Sequence, residues 1–228
     1  MPTVLVTGAS RGIGLEFVRQ YAADGWRVIA AARDPEGSEA LAGLARANAN
    51  IALQKLDVTD DASIAALGKR VDEPIDVLIN NAGVGGRGGA KLGETDKKAW
   101  IETLVTNLIG PIHVTEALLP HLERGGRKQV IMISSRVSSN DVNLAGGYAY
   151  ASSKAALNRA MRTMSRDLGE KGFTVVSMCP GWVRTDMGSA AAPVAPEDSI
   201  AGMRKQIAAL TPAANGQFTN YASLPIAW

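Results

Sequence analysis

Tyr150-Ala-Ser-Ser-Lys154 sets a phenol and an ammonium four residues apart, on one face if the stretch is helical. A phenol titrates near about 10, and a cation within roughly 4 to 6 Å lowers that by about 1 to 3 units, toward the range where a general acid works at neutral pH. Tyr150 is therefore a candidate acid and Lys154 the cation that tunes it. Alone, the pair also fits an ordinary surface helix, so the rest of the chain decides. Tyr148 is a decoy, because the residue four after it is Ser152.

Two other polar positions join the pair. Gln129 to Ile133 reads as a strand ending in Ser134-Ser135, where a hydroxyl can point into a ligand crevice. Ala99 to Leu122 has helical spacing but contains Pro111, which lacks an N–H, so the carbonyl of Asn107 loses its helical partner. That carbonyl can hold a water linking Lys154 to solvent, or the proline simply kinks the helix. His113 and His121, on or near this helix, have no cluster around them and read as packing or surface residues.

The elements before this region describe what the pair would act on. Val4 to Thr7 reads as a short buried strand running into Gly8-Ala9-Ser10-Arg11-Gly12-Ile13-Gly14, followed by a helix over Leu15 to Ala23. The glycine spacing differs from G-x-G-x-x-G, but the physics carries over: a tight turn, close backbone approach, and free helix amides for a pyrophosphate.

Arg27 to Ala32 is a second strand, whose end carries a carboxylate in NAD sites. Here that position, 18 residues after Gly14, is Ala32; Arg33 follows it, and Arg11 lies in the glycine turn. Two guanidiniums without an intervening carboxylate suit a 2'-phosphate, which favours NADP(H). NAD(H) stays possible if Asp34, and not Ala32, faces the ribose.

Downstream, Ala40 to Ala47 is helical, and Ile51 to Leu56 is a strand ending at Asp57-Val58, with Asp60 placed to cap the next helix. Asp57 reads either as an acceptor for an adenine amino group or as a loop acid. Ile75 to Ile79 leads into Asn80-Asn81-Ala82-Gly83, where asparagines can brace the sheet edge and Gly83 leaves room for a ribose. Gly85 to Gly89 is a glycine-rich rim without the lysine and serine of a P-loop. Phe173 to Cys179 is a sixth strand, and Pro180-Gly181-Trp182-Val183-Arg184-Thr185 turns out of it, with the Thr185 hydroxyl placed to meet a carboxamide. A short lid over 186–197, a helix over Ser199 to Leu210 and a last strand over Gly216 to Tyr221 complete the chain. Such alternation predicts an α/β fold: a single doubly wound, Rossmann-type parallel sheet of about seven strands, helices on both faces, ligand at the strands' carboxyl ends.

Composition narrows the class. The 228 residues, 46% of them hydrophobic, fit one domain over 1–228 that binds and catalyses together. A net charge of +2 argues against a nucleic-acid partner, while a pI near 8.7 mildly favours anionic ligands. The one cysteine, Cys179, excludes an internal disulfide and reads as a core residue; no Cys/His spacing suggests a metal site. No signal peptide or membrane-length apolar run is evident, so a cytoplasmic protein without a membrane partner is expected.

TGASRGIG, NNAG, Asn107, Ser135, YASSK and PGWVRT occur here in the order seen in the short-chain dehydrogenases/reductases, and across the whole chain the sequence resembles that family. YAYASSK, PGWVRTDMG and the closing Pro225-Ile226-Ala227-Trp228 resemble its sniffer-like carbonyl reductases and bacterial C-factor-type proteins. The resemblance implies catalytic roles for Asn107, Ser135, Tyr150 and Lys154. It implies a cofactor site of Gly8, Ser10, Arg11, Gly12, Ile13, Gly14, Arg33, Asp57, Val58, Asn81, Ala82, Gly83, Pro180, Gly181, Val183 and Thr185, together with Tyr150 and Lys154. The chain departs from the pattern in a longer Ser135-to-Tyr150 loop and in Ala222-Ser223, where close relatives tend to carry Asp-Gly. Hydride transfer with a small carbonyl or alcohol substrate is implied, as is a homodimer or homotetramer meeting through the helices of Asn107 and Tyr150. An NADP(H)-responsive signalling role is the competing function. Val137, Val142, Leu144, Trp182 and Met187 form either an apolar substrate pocket or part of the core.

Overall fold

The structure is a computed structural model that describes residues 1–86, 91–142 and 146–228. Arg87, Gly88 and Gly89 of the expected rim, and Leu144 of the expected pocket, lie outside the described residues. Seven strands form one sheet in the order β3-β2-β1-β4-β5-β6-β7, with β1 Thr3–Thr7, β2 Arg27–Ala32, β3 Ile51–Lys55, β4 Val77–Asn80, β5 Gln129–Ile133, β6 Thr174–Cys179 and β7 Phe218–Asn220. Every pairing is parallel, so all the carboxyl ends share one edge. The chain winds outward from β1 through β2 to β3, then restarts at β4 on the other side of β1. The switch between β1 and β4 opens a crevice.

Alternate residues of each strand feed opposite layers. Val4, Val6, Val28, Ala30, Ile79 and Ile131 pack with Phe17, Val18 and Tyr21 of α1 (Gly12–Ala23), Leu41 of α2 (Glu39–Ala47), and Ile200, Met203 and Ile207 of α7 (Pro196–Ala209). On the other face, Leu5, Ile29, Leu78, Val130 and Met132 meet Ile64 and Leu67 of α3 (Asp61–Arg70), Val114, Leu118 and Leu122 of α5 (Gly110–Arg124), and Leu157 and Met161 of α6 (Tyr148–Gly169). Near-continuous apolar strands covered on both sides are what a parallel sheet requires. Asp60 caps α3 as expected, its carboxylate accepting from Ala62 N and Ser63 N.

β4, α7 and β7 differ in their bounds from the expected Ile75 to Ile79, Ser199 to Leu210 and Gly216 to Tyr221, and two further differences bear on the site. The helix expected over 99–122 is α4 (Lys97–Leu104), a π-turn over Val105–Ile109, and α5. Pro111 cannot donate, and Gly110 N–H reaches back five residues to Val105 O, so the break becomes a one-turn bulge with Asn107 at its centre. A Cβ at Gly110 would lie 2.5 Å from Val58 O, so the end of the bulge is seated on the segment that follows β3. The helix bearing Tyr150 starts earlier than expected, at Tyr148, because Gly147 turns the chain at φ +69 and leaves both following tyrosines helical.

The turn after β7 is closed by Asn220, whose Oδ1 accepts from Ala222 N and Leu224 N. Within it Ser223 sits at φ +64, the left-handed region. An L side chain there costs about 1 to 2 kcal/mol, partly offset by the entropy a glycine would lose. Ser223→Gly is expected to stabilise the protein by about 0.5 to 1 kcal/mol in denaturant unfolding; a destabilised variant would mean that the turn is not strained.

Candidate active site

The crevice at the carboxyl edge begins at the glycine turn. Gly8 and Gly12 adopt φ +66 and +55, and a Cβ at Gly14 would lie 2.2 Å from Gly8 O. Arg11, in the N-cap position of α1, gives no side-chain cap, and the first turn holds no acidic residue, so the helix amides are free for an anion. Thr7 and Asn81 tie this turn to the end of β4. Asn81 Nδ2 donates to Thr7 O at 2.8 Å and Gly8 O at 3.1 Å, and Thr7 Oγ1 accepts from Asn81 N and Ala82 N at 3.0 Å each.

At the adenosine end, Asp34 Oδ1 accepts from Gly37 N at 3.0 Å, curling the carboxylate into its own turn, while Ala32 and Arg33 line the crevice. Asp57 also lines it, with its Oδ1 held by Thr59 N at 2.9 Å and Thr59 Oγ1 at 2.7 Å. Burial pushes the Asp57 carboxyl up, but the Thr59 bonds and the nearby Arg33 guanidinium outweigh it and leave it below the usual carboxylate range. Arg11 pairs across the crevice lining with Asp186, from the segment expected to form a lid, 3.4 Å from its guanidinium. Both side chains are largely exposed to solvent, at 75% and 79%, so the pair is weak.

Ser135, Tyr150 and Lys154 converge on the crevice floor, whereas Asn107 is fully buried behind it. Asn107 Oδ1 accepts from Val84 N at 2.8 Å, and its Nδ2 donates to Val84 O at 2.9 Å and Ser153 Oγ at 3.0 Å. The side chain thus fixes the segment after Gly83. Ser135 faces the Tyr150 hydroxyl, while Ser134 is buried with its Oγ making no hydrogen bond among the described residues. Tyr148 turns away toward Trp100, with ring centroids 6.1 Å apart.

The expected tuning of Tyr150 by Lys154 is not what this arrangement produces. Lys154 Nζ donates to Ile133 O at 2.8 Å and lies 5.9 Å from the Tyr150 ring centroid. Burial raises the Tyr150 pKa, the Ser135 hydroxyl pulls it down, and Cys179 adds to the rise; the phenol keeps its proton at neutral pH. Burial likewise lowers Lys154, to about 8, against an opposing pull from Cys179. A buried ammonium turns to the nearest carbonyl, and that draws its charge off the phenol.

Some contributors escaped the sequence reading. Ser138 Oγ donates to Ser135 O at 2.6 Å and accepts from Asn158 Nδ2 at 2.7 Å, anchoring the Ser135 turn to α6. Asn158 continues the every-fourth-residue row of Tyr150 and Lys154, a signal the sequence did contain. Cys179 is buried as expected but also lines the crevice, its Sγ accepting from Arg136 N at 3.2 Å. Leu224, Pro225 and Ile226 wall one end, which no local pattern announced. Val137, Val142, Trp182 and Met187 line the crevice, and Trp182 and Met187 are exposed there, so they belong to the pocket and not to the core.

A nicotinamide dinucleotide fits these residues. The glycines keep side chains off the turn, so its backbone forms the crevice surface there; a Cβ at Gly83 would stand 3.6 Å from Lys154 Nζ; the orphaned Ser134 hydroxyl lines the crevice. Among the described residues no metal-binding group of His, Cys, Asp and Glu occurs, and no helix is long and apolar enough to cross a membrane.

Fold and site together define an oxidoreductase of the doubly wound, dinucleotide-binding class. Residues 2–194 match the short chain dehydrogenase family, and the chain belongs to it. It is 46% identical to the C-signal protein of Myxococcus xanthus over 156 residues, 68% of this chain and 93% of that one. The carbonyl reductase Sniffer of D. melanogaster superposes with a TM-score of 0.93 at 32% identity, covering 100% of both chains. The NADPH-bound carbonyl reductase from chicken fatty liver also gives 0.93, at 35% identity over 100% of this chain and 99% of that one.

Buried Lys154 makes stability depend on pH. The unfolded chain holds this proton up to about 10.5 and the folded chain only up to about 8, so the folded state binds fewer protons between them and stability rises with pH across that window. The stability advantage of Lys154→Met over wild type is expected to shrink by roughly 3 kcal/mol from below pH 8 to above pH 10.5. Urea unfolding at both ends of the window measures it, and a difference independent of pH would contradict a buried ammonium.

Proposed function

We propose that this protein is an NADP(H)-dependent reductase of aldehydes or ketones. The observation that carries the reading is the meeting of the Ser135 hydroxyl with a protonated Tyr150 hydroxyl on the crevice floor. Bound NADPH supplies the hydride to the carbonyl carbon. Ser135 donates a hydrogen bond to the substrate oxygen, and Tyr150 gives that oxygen its proton as negative charge develops. Lys154 spends one donor on Ile133 O and has others to offer the ribose hydroxyls in the space Gly83 leaves open. Asn107 holds the Val84 backbone in place, and the π-turn around it gives the proton lost by Tyr150 a route for replacement. The chain acts as one domain in the cytoplasm, as a homodimer or homotetramer.

Arg33, with Asp34 turned into its own loop, supports NADP(H) over NAD(H). Adenosine contacts fall to Ser10, Arg11, Asp57 and Val58, and nicotinamide contacts to Pro180, Gly181, Val183 and Thr185, all at the crevice. Thr185 Oγ1 already accepts from Gly188 N at 3.2 Å, which aims its hydroxyl.

Tyr150→Phe is expected to lower kcat by at least about 100-fold for a panel of aldehydes and ketones while leaving NADPH affinity nearly intact. Turnover that survives the change would refute the acid assignment. Arg33→Ala is expected to weaken NADPH binding by about tenfold or more and to leave NADH binding nearly unaltered. Equal losses for both cofactors in fluorescence titrations would remove Arg33 from the 2'-phosphate site.

The identity to C-signal favours one second reading, a signalling protein that binds NADP(H). Cells carrying Tyr150→Phe or Gly14→Ala separate the two: signalling that needs the glycine turn but not the phenol favours the second.

A further inference from the structure

Four cationic side chains line the crevice among the described residues: Arg11, Arg33, Arg136 and Lys154. Arg11 pairs with Asp186, Arg33 neighbours Asp57, and Lys154 is bonded to Ile133 O. Arg136, like Arg33, has no hydrogen-bond or ion-pair partner for its guanidinium among the described residues, but it has no cofactor phosphate assigned to it and its backbone is fixed. The N–H of Arg136 donates to Cys179 Sγ at 3.2 Å, and the turn it opens is pinned by Ser138 and Asn158. Asp141 also lines the crevice, yet forms no ion pair with it. Cys179, which takes the Arg136 N–H on its Sγ, lines the same crevice as Arg136 and Lys154.

Arg136 directly follows Ser135, with consecutive Cα atoms about 3.8 Å apart. Both residues line the crevice after β5, on the other side of the β1–β4 switch from Arg33 after β2, so Arg136 is one residue from the serine proposed to hold the substrate oxygen. A planar guanidinium with its donors free is matched to a carboxylate, which it can grip through two parallel hydrogen bonds. We infer that Arg136 recognises a carboxylate on the substrate, a few bonds from the reacting carbonyl, and that the substrates are oxo acids or formyl acids. The Val137, Val142 and Leu224 walls would then hold the apolar part between the two groups. This inference rests on the reductase reading above.

The test compares the 2-, 3- and 4-formylbenzoates with their methyl esters, each with NADPH, in the wild type and in Arg136→Met and Arg136→Lys. In the wild type, at least one acid is expected to exceed its ester in kcat/KM by about tenfold, mainly through KM. Arg136→Met is expected to bring that ratio close to one, and Arg136→Lys to retain part of it. Benzoate is expected to inhibit the wild type competitively and to lose at least about tenfold in affinity in Arg136→Met. Ester reduction without a preference for any acid, or a preference that persists in Arg136→Met, would overturn the inference and leave the reductase reading standing. Failure to reduce every acid and every ester would overturn both.

Discussion

The site depends on how the ends of β1 and β4 are held at the point where the sheet's winding reverses. Two parallel strands diverge there, and their last backbone groups have no strand partner left. Thr7 and Asn81 satisfy them: one hydroxyl accepts two amides, and one side-chain amide serves two carbonyls. Because of that clamp, the glycine turn and Gly83 stand at a fixed separation across the crevice, and the glycines have no space to spare. Without it the α1 amides and the Tyr150 helix would face an opening of no defined width.

A second constraint comes from bringing charge into the interior. Lys154 arrives on α6 at the end of β5, where Ile133 O is the carbonyl it meets. Burial weakens its hold on a proton and strengthens that of Tyr150, so the protein as folded stores a neutral phenol beside a reluctant ammonium. This suits the acid role proposed for Tyr150, in which the proton leaves only as charge develops on a substrate. The π-turn serves the same end by different means. Pro111 withdraws a donor, the helix widens by one residue, and Asn107 at the centre of the turn fastens Val84 and Ser153 with its side chain.

Much of this was readable from residue order. Strands β2 and β5 begin and end where their apolar runs and flanking residues place them, because parallel strands buried on both faces are apolar nearly throughout and stop at polar residues. Tyr150, Lys154 and Ser135 reach one crevice because the carboxyl ends of parallel strands must lie together. The Asn107 break was legible in Pro111, though as a kink and not as a bulge, since one missing N–H does not specify how the helix repairs itself.

The sequence by itself determined the order of elements, the direction of the sheet and the short-range pairs, because these follow from periodicity and from groups a few residues apart. Only the tertiary structure decided which partner each charged group takes. Asp186 reaches Arg11 from 175 residues away, Asp34 folds onto Gly37 instead of facing the crevice, and Lys154 turns to Ile133 O and not to the phenol. Electrostatic pairing depends on distance and on exclusion of water, and neither exists until the chain has closed around the site.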